Sequence, residues 1–131
     1  MKPVRLDVQP FSLGFVRPFE TAAGTLTSRQ GLTVRVTDSL GRVGYGEVAP
    51  LPGFSDESLT DAACEFEGID GVPWPKAFGD LPDLESISQA CSAMVKLPSA
   101  RHGLELALCD LLAQSLNIPL ANLFNPRARL T

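Results

Sequence analysis

Few residues here carry types and spacing that could do chemistry. Cys64, Cys91 and Cys109 are candidate nucleophiles, and each would need a base; the single histidine, His102, is the one imidazole available. The cysteines are odd in number, far apart and form no C-x-x-C pair, so buried, reduced core thiols are the expectation. Gly41-Arg42-Val43-Gly44-Tyr45-Gly46 is rich in glycine but lacks the G-x-G-x-x-G spacing and has no helix directly after it. Strand glycines that admit a close backbone neighbour explain it better than a phosphate loop. Asp56, Glu57 and Asp61 read as the solvated first turn of a helix. One histidine makes no histidine-based metal site, and neither H-E-x-x-H nor G-x-S-x-G occurs. No self-sufficient active site emerges.

Two segments remain that could serve a ligand. Arg17 to Gln30 is long, polar and rich in small residues, and Glu47 to Ser58 contains Ala49-Pro50-Leu51-Pro52-Gly53-Phe54-Ser55. Connections longer than about a dozen residues without structure of their own are uncommon in compact domains unless they have a function.

The elements that must position them follow from periodicity. Val4, Leu6 and Val8 alternate with polar residues, as do Leu32, Val34 and Val36, and a third strand spans Val43 to Val48 with Val43 and Tyr45 on one face and Gly44 and Gly46 on the other. Asp38-Ser39-Leu40-Gly41 supplies the turn between the last two. A loop from about Leu13 to Gln30 joins the first two strands. The simplest arrangement is a three-stranded antiparallel meander with both ligand segments at one end, where they suit a lid.

Helices come next. Ser55 is placed to cap the first, with Leu59, Ala62, Ala63 and Phe66 on one stripe. Gly68 to Pro82 is irregular. A second helix runs from Asp83 or Leu84 to Lys96. Pro98-Ser99 stops it and caps a third, Ala100 to Leu116, and Pro119 opens a last short turn through Phe124. Strands first and helices after make an α+β fold. The third helix is apolar nearly all round: Leu104, Ala107, Leu108, Leu111 and Leu112 form one stripe, and Leu106, Cys109 and Ala113 occupy the other side. It is either the centre of a compact domain or a face that docks against something else, a barrel or a second copy in a homo-oligomer.

Bulk composition narrows the class. At 131 residues the chain is one domain, 44% apolar and 20% charged, which fits a globular protein. A net charge of −4 and a pI near 4.9, without a basic cluster, argue against nucleic acid. Apolar runs are too short to span a bilayer, and no apolar stretch follows Lys2 and Arg5 as in a secretory leader, so a cytoplasmic protein is expected.

At Thr27-Ser28-Arg29-Gln30-Gly31-Leu32, at Gly44-Tyr45-Gly46-Glu47-Val48-Ala49-Pro50-Leu51-Pro52-Gly53-Phe54-Ser55, and at Ser99 to Gln114 with Pro119-Leu120-Ala121-Asn122-Leu123 after it, the chain resembles the N-terminal capping domain of o-succinylbenzoate synthases. These belong to the muconate-lactonizing branch of the enolase superfamily. The Pro-Leu-Pro-Gly-Phe-Ser loop is the more specific part.

The resemblance implies a capping domain over residues 1–125, and 126–131 as the start of a linker into a (β/α)-barrel that these residues do not include. In that family a barrel lysine and a barrel-held Mg²⁺ carry out the dehydration of 2-succinyl-6-hydroxy-2,4-cyclohexadiene-1-carboxylate to o-succinylbenzoate, for menaquinone synthesis. This chain's lysines, Lys2, Lys76 and Lys96, form no K-x-K, so no catalytic or metal residue is assigned to it. Only lid residues carry over. Ser28 and Arg29 are the implied polar contacts to a small carboxylate substrate, Leu51 and Phe54 the apolar walls, and Gly53 the tight turn. Phe54 has a second reading as a hydrophobic staple on the next helix. Relatives with other reactions stay open: dipeptide epimerases, N-acylamino acid racemases and muconate cycloisomerases. So does a non-catalytic module docking through its long helix.

Overall fold

The computed structural model describes residues 1–71, 73–75 and 79–129. Three strands, β1 (Pro3–Thr21), β2 (Gly24–Asp38) and β3 (Val43–Val48), form an antiparallel sheet in the order β1-β2-β3. Four helices follow: α1 (Leu59–Cys64), α2 (Leu84–Met94), α3 (Pro98–Leu116) and α4 (Leu120–Phe124). The α+β meander is as expected. The lysine at position 76 lies outside the described residues, as do the last two residues of the expected linker.

The sheet packs one face on α3. Leu6, Leu32, Val34, Val36 and Val48 meet Leu104, Ala107, Leu108 and Leu111 in one buried cluster. The expected glycine face of β3 is the buried one. A methyl on Gly44 would collide with the Ala107 carbonyl oxygen, and one on Gly46 with that of Gly103. Side-chain-free strand residues therefore let β3 and α3 approach backbone to backbone. Asp110 and Gln114 of α3 then bind the edge of β3: the Tyr45 N–H donates to Asp110 Oδ2 (3.1 Å), and Gln114 Nε2 donates to the Val43 carbonyl (2.8 Å).

The other edge of the sheet is β1. Gly71 and Trp74 donate their backbone N–H groups to the carbonyls of Leu6 (2.8 Å) and Val4 (2.7 Å), and Asp70 accepts from the Val8 N–H (2.6 Å). Pro10, two residues on, turns its nitrogen toward the same edge by strand parity.

Several boundaries differ from expectation. The segment Leu13 to Gln30 is no loop. β1 and β2 continue as a hairpin arm to a turn at Thr21–Gly24, where Thr21 Oγ1 donates to the Gly24 carbonyl (2.7 Å) and accepts from the Ala23 N–H (3.2 Å). The arm stands largely in solvent, so its strands bury no alternating face and periodicity gives no signal. Register shifts between Gly14 and Phe19, where Phe15–Pro18 bulge from the ladder.

The cap of α1 is Ser58, not Ser55. Ser58 accepts from the Asp61 N–H (3.0 Å), and Asp61 accepts from the Ser58 N–H (3.0 Å), a reciprocal capping box. Pro98 does not precede α3 but opens it, and Leu97, not Ser99, is its cap residue. Leu97 offers no side-chain acceptor, so two distant carboxylates substitute: Glu57 Oε1 accepts from the Ser99 N–H (2.8 Å), and Glu65 Oε2 from the N–H groups of Lys96 and Leu97.

The second apolar side of α3 is mostly closed. Cys109 and Ala113 are buried and Leu106 is half-buried, with α2 and α4 packed against the helix. A groove still opens on that side, lined by Leu106, Cys109 and Phe124. Large exposed apolar side chains include Leu116 of α3 and Phe124 of α4, and also Leu13, Phe15, Val16 and Phe19 on the arm and Phe54 in the loop after β3.

Candidate functional site

The hairpin arm and the segment after β3 meet at one end of the sheet. Leu51 starts a turn in which its carbonyl accepts from the N–H groups of Phe54 (3.1 Å) and Ser55 (3.0 Å). The Ser55 hydroxyl closes it by accepting from the Leu51 N–H (2.9 Å). Gly53 takes φ +81°, the left-handed region where a side chain is disfavoured, and a methyl there would stand 2.6 Å from the Ala23 Cβ. The tip of the arm thus touches the turn of the second loop.

Behind that contact, Arg29 of β2 reaches across. Its guanidinium donates to the carbonyls of Ala49 and Pro50 (3.4 Å for the latter). A groove of about 350 Å³ opens beside it, lined by Ser28, Arg29 and Gln30 on one wall and Pro50, Pro52, Gly53 and the start of α1 on the other. Of the expected lid residues, Ser28, Arg29 and Gly53 therefore share one groove. Leu51 is half-buried within its turn. Phe54 is 57% exposed and faces a neighbouring notch with Leu97 and Pro98. It is not a staple on α1, because the residue before the Ser58 cap is Glu57.

Hydrogen bonds from the Ser58 hydroxyl and N–H hold the Asp61 carboxyl below the usual carboxylate range. Burial pushes the Cys91 thiol up to about 12 and Cys109 to about 11, with Glu105 adding to both, so neither is a thiolate near neutrality. Cys64 is exposed, against the expectation of a buried core thiol, and Glu67 raises it too. Among the described residues, no group of three or more His, Cys, Asp or Glu comes together to hold a metal ion, so these residues do not fit a Mg²⁺ site. No helix among them is long and apolar enough to cross a membrane.

Sequence reasoning placed Ala23 and Pro50 in the two segments at this end without a role for either, and it read Asp61 only as part of a solvated first helical turn. Asp61 was readable, since Ser58-x-x-Asp61 is a capping-box pattern. Ala23 was not, because its role comes from a contact made across the fold.

A meander followed by helices, with an arm and a loop converging at one end, is the architecture of enolase-type N-terminal capping domains. The L-Ala-D/L-Glu epimerase of Bacillus subtilis, solved in a substrate-liganded complex, superposes with a TM-score of 0.75 at 25% identity, over 92% of this chain and 33% of that one. A family profile described as "MenC, N-terminal domain" matches residues 21–111, and the chain belongs to that family. It is 34% identical over 105 residues to the o-succinylbenzoate synthase of Citrobacter koseri, covering 72% of this chain and 32% of the relative. It is 30% identical over 125 residues to the B. subtilis epimerase itself, covering 92% and 32%. The matched residues thus span about a third or less of the curated relatives' length.

Proposed function

We propose that this chain is the substrate-capping domain of an o-succinylbenzoate synthase-like enzyme, laid over the mouth of a (β/α)-barrel. The observation that carries the reading is the closure of Ala23 on Gly53, which joins arm and loop into one cover. The family match supports it, as do the synthase relatives. In this reading Ser28 and Arg29 form the polar wall, Leu51 and Phe54 exclude water, and Gly53 lets the loop turn. The barrel, with its lysine and Mg²⁺, does the proton chemistry, and this chain shapes the chamber in which a small carboxylate loses water. A cytoplasmic location follows from the same reading.

A dipeptide epimerase is the second reading. It is favoured by the B. subtilis epimerase, whose alignment reaches 92% of this chain against 72% for the C. koseri synthase. The test is an assay of the full-length polypeptide that carries this domain, with the cyclohexadiene carboxylate and, separately, with L-Ala-D/L-Glu. Dehydration supports the synthase; epimerisation alone replaces it with the second reading.

A further inference from the structure

We infer that Arg29 is a positioning residue that sets the second lid loop. Its guanidinium is directed at protein backbone: one nitrogen donates to the Ala49 carbonyl and another to that of Pro50. Those two residues are the last before the Leu51–Ser55 turn, and Pro50 is buried. Pro50 and Pro52 have no N–H to donate, so the loop's entry can make few backbone hydrogen bonds as a donor. A side chain from β2 supplies the donors instead. Arginine suits the task because its planar fork addresses two acceptors at once, whereas a lysine ammonium is a single point. Within the turn, Ala23 meets Gly53. The loop is therefore held at its base by Arg29 and at its crest by the arm, both on the β1–β2 hairpin, so the two lid segments move as one body.

The inference deepens the capping reading and shares its lid, but its test needs no substrate. Amide hydrogen exchange on this 131-residue chain reports the loop directly through the Phe54 and Ser55 N–H groups, which are bonded within the turn. Arg29→Ala should speed both by about tenfold, as loss of charge-assisted hydrogen bonds would. The core amides of Val34 and Val36 should stay unchanged. Arg29→Lys should restore part of the protection. Unchanged Phe54 and Ser55 rates in Arg29→Ala would overturn the inference. So would equal acceleration at Val34 and Val36, which marks general destabilisation, and so would a lysine variant no better than alanine. A full-length enzyme that proved to be an epimerase, or to lack either activity, would sink the synthase reading and leave these exchange rates where they are.

Discussion

Gly46 of β3 lies directly on Gly103 of α3, so closely that neither tolerates a side chain. A methyl on Gly46 meets the Gly103 carbonyl, and one on Gly103 meets Val48. The strand and helix are set at backbone contact, and every core residue between them is placed by that spacing.

Gly46→Ala should therefore destabilise the fold by about 3 kcal/mol, because backbone on both sides resists the shift. Urea unfolding should show a lower midpoint at unchanged slope. Gly14→Ala is the control: nothing lies within 4 Å of a methyl there, so its change should stay within about 0.5 kcal/mol. Equal effects from the two would refute the packing account.

The buried Asp38 carboxylate ties the β2–β3 turn together. It accepts from the Leu40 N–H (3.0 Å), the Arg42 N–H (2.9 Å) and the Arg42 guanidinium (2.7 Å). Burial pushes its pKa up, but Arg42 and the two N–H groups outweigh burial and hold it below the ordinary 3.8. A carboxyl lowered by folding stabilises fully above the unfolded value and loses that contribution as pH falls through the folded one. Stability should accordingly drop below about pH 4. Asp38→Asn should flatten part of that drop and cost about 2 kcal/mol at neutral pH, read by thermal melts across pH.

Helix α3 starts on carboxylates borrowed from around α1. Glu57→Gln and Glu65→Gln keep the shape of each acceptor and remove its charge, and each should lower stability by about 1 kcal/mol. The effect should weaken in high salt, as measured by urea titration at two ionic strengths. An undiminished cost in salt would show that charge is not the agent.

The thiols should separate cleanly by accessibility. At pH 8 a maleimide should label Cys64 in the native chain and leave Cys91 and Cys109 untouched, while denaturant should expose all three, counted by intact mass. Native labelling of Cys91 would contradict its burial.

Most of the scaffold was legible from periodicity, because the elements concerned bury one face. Leu32 to Thr37 alternates, and it pairs with Val43 to Val48 in the register its turn dictates. On α2, Ile87, Ala90 and Cys91, spaced three and four apart on one face, are all buried. The arm was not legible, since strands wet on both faces carry no alternating signal. The entry to α3 was missed for another reason: its acceptors lie 31 and 42 residues away along the chain. The proposed lid residues were named through family resemblance. The guanidinium contacts of Arg29 needed coordinates, because no local pattern announces a side chain that binds a carbonyl 20 residues on.

The outer margin of β1 has a consequence for self-association. An unpaired strand is a template on which a neighbouring molecule can add its own. Here Gly71, Trp74 and Asp70 occupy that row from Val4 to Val8, and Pro10 then leaves a gap where an amide donor would stand. The long arm can therefore project apolar side chains for its task without the sheet behind it seeding a fibre.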